Sequence, residues 1–251
     1  MKHLFFILVA LSLLSSGCDK NKESNLELVF KATHEGQALV MYDQYNASNN
    51  RAIIYKALEF FISDINITNT DGSVVNITDV DYVKLSSLTT QNKAEEGIKL
   101  LFTDVEAVGS FQSINFGVGV SASLNAKEPG DYSTTSPLGD EGNYWTAWNS
   151  YIFSRLEGSY FDASNNKTPF LYHSGVDGSY QQLSFNKDFS LKKGETTTIE
   201  FELTAEDIIF KDGSEIDVPN NPISHSGAEG TDAYNLALST VRNIAQAIHI
   251  K

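Results

Sequence analysis

The chain has 251 residues, 41% of them hydrophobic, and a formal net charge of −14 that comes from 32 acidic and 18 basic side chains. This apolar fraction is typical of a globular protein, and the acidic balance argues against nucleic acid and against basic patches for anionic lipid headgroups as partners. A single cysteine excludes disulfides within the chain and sites built from several thiolates.

The N-terminus has the pattern of a lipoprotein export signal. Lys2 precedes the apolar run LFFILVALSLL, which is too short to span a bilayer and is typical of a signal peptide. The run ends in SSGC, an arrangement that resembles a bacterial lipobox. We predict a signal peptide over residues 1–17, lipidation at Cys18 and a polar lipidated tether over 18–25. The protein would then lie in the cell envelope, periplasmic or anchored at the outer membrane, with the lipid as its only membrane contact.

Residues 26–251 are predicted to form one mostly β domain. Apolar and polar residues alternate in short runs, which Asn, Asp, Gly and Ser clusters interrupt at the spacing of many short strands. Asp71 and Gly72 tolerate positive φ and predict a hairpin. The expected fold is an antiparallel β-sandwich or a barrel-like Greek key. The predicted strands cover residues 26–33, 58–69, 73–86, 99–107, 113–121, 151–160, 181–189 and 196–203.

The C-terminal segment TDAYNLALSTVRNIAQAI predicts an amphipathic helix. Thr231 or Asp232 can cap its start, and apolar residues follow at three- and four-residue spacing. The stretch over residues 124–142 is rich in Pro, Gly and Ser and predicts a loop. It leads into GNYWTAWNSYIFSRLEG, which holds both tryptophans of the chain, Trp145 and Trp148.

Histidines are the other candidates for chemistry, because the common catalytic and nucleotide-binding motifs are absent and we expect no enzyme. His34, His173 and His225 each follow an apolar run and precede a glycine by two residues, which predicts that all three lie at strand ends. Imidazoles that meet at one rim of a sandwich would suit copper or zinc. Isolated histidines beside glycine turns are also common surface residues, and His249 lacks the shared context.

The tryptophan segment resembles a known family. YWTAWNSYIFSRLEG is similar to the W-x-W-N-S-G-Y-x-F-x-(K/R)-(L/I)-EG segment of the MbnP-like family, exported copper-binding proteins that are associated with methanobactin. Here two residues instead of one separate the indoles, and the glycine before Tyr151 is missing. Further segments resemble family elements in the same order over nearly all of residues 26–250: LEFFISDINITNTDGS, FQSINFGVGVSASLN, FLYHSG and HSGAEGTDAYNLALSTVRNIAQAI.

The resemblance implies a copper-binding β-sandwich with His34, His173 and His225 as ligands. It also implies a dihaem, cytochrome c peroxidase-like partner that oxidises a tryptophan to kynurenine, at Trp145 or Trp148. Indole is electron-rich, and the product carries an aniline nitrogen and a carbonyl that can approach a metal. The competing interpretation is that both indoles fill the core, as large aromatic side chains most often do.

Two other classes of protein remain open from the sequence. One is a surface lipoprotein that binds glycan or peptide through an exposed aromatic platform of Tyr144, Trp145 and Trp148. The other is a purely structural envelope protein. A platform requires indole faces in solvent, whereas a metal site requires imidazoles that converge beside a shielded indole.

Overall fold

In the computed structural model of the protein, the described residues are 23–47, 49–225 and 227–251. The predicted signal peptide and Cys18 lie outside them. None of the helices within these ranges has the length and apolar content needed to cross a bilayer.

The strands and helices follow one another along the whole described chain. The strands are β1 (Ser24–His34), β2 (Gln37–Ala38), β3 (Gln44–Ala47), β4 (Arg51–Asn69), β5 (Val74–Lys84), β6 (Ile98–Val105), β7 (Gly109–Val118), β8 (Tyr144–Trp145), β9 (Ser150–Tyr151), β10 (Ser154–Phe161), β11 (Lys167–Ser174), β12 (Gln181–Leu191), β13 (Thr196–Thr204), β14 (Ile223–Ser224) and β15 (Ile248–Ile250). The helices are α1 (Gln91–Glu96), α2 (Ala122–Asn125), α3 (Ala205–Phe210) and α4 (Asp232–Ala247).

Two sheets form the predicted β-sandwich. The first has the order β15-β13-β1-β2, with β6 also paired to β1. The second has the order β12-β7-β4-β10-β11-β14, with β3 and β5 also paired to β4. Most strand pairs are antiparallel, as predicted. Two pairs are parallel, β1 with β13 and β11 with β14.

The core lies between the sheets and is rich in phenylalanine. Phe30 of the first sheet packs against Phe60 and Phe116 of the second, with ring centroids 6.2 and 5.9 Å apart, and it stacks on Phe201 at 5.1 Å. All four side chains are buried. Burial of one such ring stabilises the fold by about 1.5–3 kcal/mol, so this cluster alone joins the two layers firmly without any disulfide.

Two local predictions are confirmed in detail. At the β4–β5 hairpin, Gly72 has φ +87°, and the Asp71 carboxylate accepts a hydrogen bond from the Ser73 backbone N–H at 2.9 Å. Helix α4 begins after Thr231, whose side chain accepts from the Tyr234 N–H. Residue preferences within a few positions decide both structures, which is why the sequence shows them clearly.

Three strand predictions need correction. β4 begins at Arg51 rather than at residue 58, and the predicted strand 151–160 is interrupted at residues 152–153. β11 was not predicted, since Pro169 lies in its middle and cannot donate to a ladder. On one edge of β11, the short strand β14 pairs only with residues 171 and 172. Pro169 therefore lies outside the paired part of that edge.

Candidate metal centre

Strands β11 and β14 bring His173 and His225 together. They run parallel, with Tyr172 opposite Ser224. The next residue on each path is a histidine, so the register itself places the two imidazoles side by side. Their ring centroids lie 5.5 Å apart, with an angle of 69° between the ring planes.

Trp145 completes this cluster. Its ring centroid lies 6.2 Å from that of His173 and 4.7 Å from that of His225, and both imidazoles are edge-on to it. Trp148 stacks on Trp145 with centroids 5.1 Å apart and planes 16° apart. The Trp148 N–H donates to the Trp145 carbonyl at 3.0 Å, as in a β-turn. Two residues between the indoles are what such a turn requires, so the spacing of this chain produces the stack.

A small buried core anchors the tryptophan loop. β8 pairs with β9, with Tyr144 opposite Tyr151. Tyr151 is fully buried, and its hydroxyl donates to the Leu138 carbonyl at 2.8 Å. Asn125 accepts from the Tyr151 N–H at 2.9 Å. The apolar side chains around this point form a cluster of their own: Phe61, Val120, Leu138, Tyr151 and Phe153.

Arg155 ties the loop to the sheet. Its guanidinium donates to the Asn143 side-chain oxygen at 2.9 Å and to the Gly142 carbonyl, two residues before the tryptophan hairpin. The same group lies 3.7 Å from the Glu59 carboxylate, which is 9% exposed and also accepts from the Tyr82 hydroxyl at 2.8 Å. A planar guanidinium can make these contacts at once, whereas an ammonium cannot reproduce the fork.

Glu157 holds one nitrogen of His173. Its carboxylate lies 2.8 Å from Nε2. Burial lowers the pKa of His173 below its ordinary value of 6.5, and the Glu157 hydrogen bond and charge oppose that shift. The imidazole is therefore biased toward its neutral form, the form in which histidine binds a metal.

His225 presents the opposite situation. Its Nδ1 is buried and has no hydrogen-bond partner among the described residues. Beside the cluster lies a small, partly open cleft of about 10 Å³, whose lining includes Trp145, Trp148 and His173 but not His225. Such a space has room for about one water-sized particle. It is far too small for a sugar ring.

His34 does not join this cluster. It ends β1 in the other sheet and is 2% exposed, and its ring contacts Tyr45 and Tyr55. The expectation of three imidazoles at one rim is therefore corrected to two. Within residues 23–47, 49–225 and 227–251, no three His, Cys, Asp or Glu side chains converge as a metal site. His249 is exposed on β15, opposite Glu202.

Sequence reasoning missed Glu157 and Arg155. Both stand on β10 in SRLEG, directly after the tryptophans, where a period-2 strand puts Arg155 and Glu157 on one face. Residue Arg155 is opposite His173 in the β10–β11 register. The alternation was visible, but the pairing with β11 was not, because β11 itself was missed.

Comparisons with known proteins identify the family of this chain and its fold. The family model described as MbnP matches residues 23–226 of this chain. The chain belongs to the MbnP family. This family is associated with methanobactin and with copper handling. The match includes His173 and His225 and ends before helix α4.

A solved structure shares the fold. MbnP from Methylosinus trichosporium is similar with a TM-score of 0.53 and 13% sequence identity, over 84% of this chain and 83% of that chain. At this identity the likeness shows the fold alone. No curated protein matches this chain in sequence.

Proposed function

We propose that the protein is an exported copper-binding protein in which His173 and His225 hold the ion beside Trp145. The observation that carries the proposal is the buried Nδ1 of His225, which has no hydrogen-bond partner among the described residues. Buried nitrogen atoms are almost always hydrogen-bonded, and each exception requires an explanation. A bound ion would supply the missing partner.

The donor set fits copper. Two imidazoles without thiolate or thioether suit copper or zinc, and Cu²⁺ binds such ligands more tightly than Zn²⁺. Glu157 is hydrogen-bonded to Nε2 of His173. A carboxylate that orients a ligating histidine in this way is the common arrangement at metal sites. These residues fit a binding protein rather than an enzyme, since the site has no nucleophile with a base beside it.

The proposal includes oxidation of Trp145 by a dihaem, cytochrome c peroxidase-like partner. To give kynurenine, the indole would lose four electrons to the oxidised haems in two two-electron steps, with release of four protons, and three water molecules would supply the oxygen atoms of the new ketone and of the formate in which C2 leaves. Trp145 is favoured over Trp148 because both imidazoles stand edge-on to Trp145. The new polar groups would then arise next to the histidines.

Attachment to the membrane would come from lipidation of Cys18, with residues 18–25 as the tether to the β domain. This part of the proposal rests on the signal sequence and on SSGC alone. It places the copper site in the cell envelope, where a docked partner can reach the tryptophan loop.

The geometry disfavours a glycan or peptide platform. The two indoles stack on each other, so each covers one face of the other, and both are only partly exposed. A stacking platform needs free ring faces.

The test is a Cu(I) titration of the full-length protein against a competing chelator. His173→Ala and His225→Ala should each weaken affinity by more than the 10–100-fold that supporting residues contribute. His249→Ala is the control, because this exposed histidine should leave affinity unchanged. Equal affinities for all these proteins would eliminate the proposed site.

A further inference from the structure

The surroundings of His34 form a second polar cluster, apart from the tryptophan loop. His34 ends β1 of the first sheet, Tyr55 lies on β4 of the second sheet, and Glu206 lies on α3. Nδ1 of His34 is 3.8 Å from Oε2 of Glu206 and 3.5 Å from the Tyr55 hydroxyl oxygen. Donor atoms from three separate elements therefore surround one point between the sheets.

Hydrogen bonding fixes the state of the His34 ring. Its Nε2 lies 2.8 Å from the Asn46 carbonyl oxygen. A carbonyl can only accept, so Nε2 carries the hydrogen, and in the neutral ring Nδ1 presents a lone pair. That lone pair accepts a long hydrogen bond from the Tyr55 hydroxyl and also faces Oε2 of Glu206.

Glu206 has one satisfied and one unsatisfied oxygen. Oε1 accepts from the Glu35 N–H at 2.8 Å. Oε2 is buried and has no hydrogen-bond partner among the described residues. No lysine or arginine of the described chain forms an ion pair with Glu206; its ion-pair contact is the one with His34. A buried carboxylate oxygen left in this state is costly.

Nδ1 of His34 and Oε2 of Glu206 are both acceptors, and a positive charge between them would give Oε2 the partner that it lacks among the described residues. A proton on Nδ1 is a poor solution at 3.8 Å, because charged N–H···O bonds are about 2.7–2.9 Å long. A metal ion fits better. With bonds of about 2.0–2.1 Å, the ligands of a tetrahedral Zn²⁺ lie roughly 3.3–3.5 Å apart, close to the two separations at His34.

We propose that His34, Glu206 and Tyr55 form a second metal site, distinct from the histidine–tryptophan centre, for a divalent cation of the Zn²⁺ class. Imidazole binds both zinc and copper, whereas a carboxylate oxygen is a hard ligand that favours Zn²⁺ over the softer Cu(I). An ion bound here joins β1, β4 and α3 at the junction of the two sheets. Its role is to stabilise the fold, and the site does not depend on the proposed copper function.

The test separates the two sites. Zn²⁺ alone is titrated calorimetrically into the full-length protein that carries His173→Ala and His225→Ala, so that the first site is disabled. We expect about one equivalent of Zn²⁺ to bind and to raise the melting temperature. In that background, Glu206→Gln should weaken Zn²⁺ binding at least tenfold, the lower end of the effect of metal-site residues. Glu157→Gln, at the other site, should leave Zn²⁺ binding unchanged.

Two further readouts keep the outcome decisive. Tyr55→Phe keeps the buried ring, so it remains informative if circular dichroism shows that Glu206→Gln does not fold, and it should also weaken binding. The nitrogen resonance of His34 Nδ1 should shift on Zn²⁺ addition. Two results would overturn the proposal: no Zn²⁺ binding in the double-alanine background, or the same Zn²⁺ affinity in that background and in its folded Glu206→Gln and Tyr55→Phe variants. A His34–Glu206 ion pair would then be the explanation. Neither result would affect the copper titration.

Discussion

The imidazole of His225 stands edge-on to the indole of Trp145, with ring centroids 4.7 Å apart and planes at 70°. Trp148 lies parallel to Trp145 instead, in a stack. The two indoles are thus not equivalent, although both belong to the same turn. Any chemical change on Trp145 therefore alters the surroundings of His225 directly.

The first prediction concerns the identity of the oxidised tryptophan. In protein from the native host, peptide mass analysis should show a gain of one oxygen and loss of one carbon at Trp145. Trp145→Phe should abolish this change and weaken copper binding by about 10–100-fold. Trp148→Phe should keep the change at position 145 and cost about 1–3 kcal/mol of stability through lost volume. A modification located at Trp148, with Trp145 unmodified, would contradict the assignment.

The second prediction concerns the proton on His173. Burial lowers its pKa, and the Glu157 carboxylate opposes this, so Glu157→Gln should lower the pKa further. NMR titration of the imidazole, with exposed His249 as internal reference, measures the shift. Because the folded-state pKa lies below the unfolded-state value, the unfolded chain binds this proton more tightly. The contribution of His173 to the free energy of unfolding is therefore complete above about pH 6.5, and it decreases as the pH falls below that value. A pKa that rises in Glu157→Gln would show that Glu157 does not support the ring.

How much of this site the sequence predicts can be judged from the histidines. The glycine two residues after His34, His173 and His225 indicates a strand end, and each lies at or next to one. Local context does not reveal which sheet a strand joins. β1 belongs to one sheet and β11 to the other, so identical local signals led to two separate places.

The proximity of His173 and His225 could not be predicted from the residues around each histidine either. It depends on β14, a two-residue strand in a stretch without alternation. Strands this short leave no periodic signal. The hairpin at Asp71-Gly72 and helix α4 were predictable because neighbouring residues determine them, and the family resemblance supplied the tryptophans.

The third prediction tests how Arg155 supports the loop. Arg155→Met leaves the nearly buried Glu59 without its guanidinium and frees Asn143. Removing one partner of a buried ion pair costs about 3–5 kcal/mol; we expect about 2–3 kcal/mol here, because Arg155 is 18% exposed and Lys84 remains 3.8 Å from Glu59. Denaturant unfolding measures the loss. Glu59→Gln combined with Arg155→Met should recover part of it. A simple sum of the two single effects would show that the charges do not interact.

The fourth prediction concerns the proposed anchor. Cys18→Ala should release the protein from membranes into the soluble envelope fraction, because one residue carries the lipid. Cell fractionation and immunoblotting measure the distribution. Copper affinity of the released protein should match that of the wild type, since Cys18 precedes the folded domain. A variant that still fractionates entirely with membranes would rule out lipidation as the anchor.

The last prediction uses the close approach of two backbones beneath the tryptophan loop. A Cβ at Gly175 would lie 2.1 Å from the Tyr151 carbonyl oxygen and 3.1 Å from its carbon. The Ser150 hydroxyl donates to the Gly175 carbonyl, so this contact holds β9 against the end of β11. Gly175→Ala must push β9 away by more than about 1 Å to reach ordinary van der Waals separation.

Because β9 pairs with β8, that displacement moves Trp145 relative to His173. A displacement of about 1 Å is enough to spoil a binding site, so copper affinity should fall at least tenfold, and overpacking should cost about 1–3 kcal/mol of stability. Gly130→Ala is the matched control. Its Cβ would meet nothing within 4 Å, so it should change stability by less than about 0.5 kcal/mol. Copper titration and thermal unfolding of both variants decide the matter. Loss of stability in Gly175→Ala with unchanged copper affinity would show that the position of the tryptophan loop does not control the site.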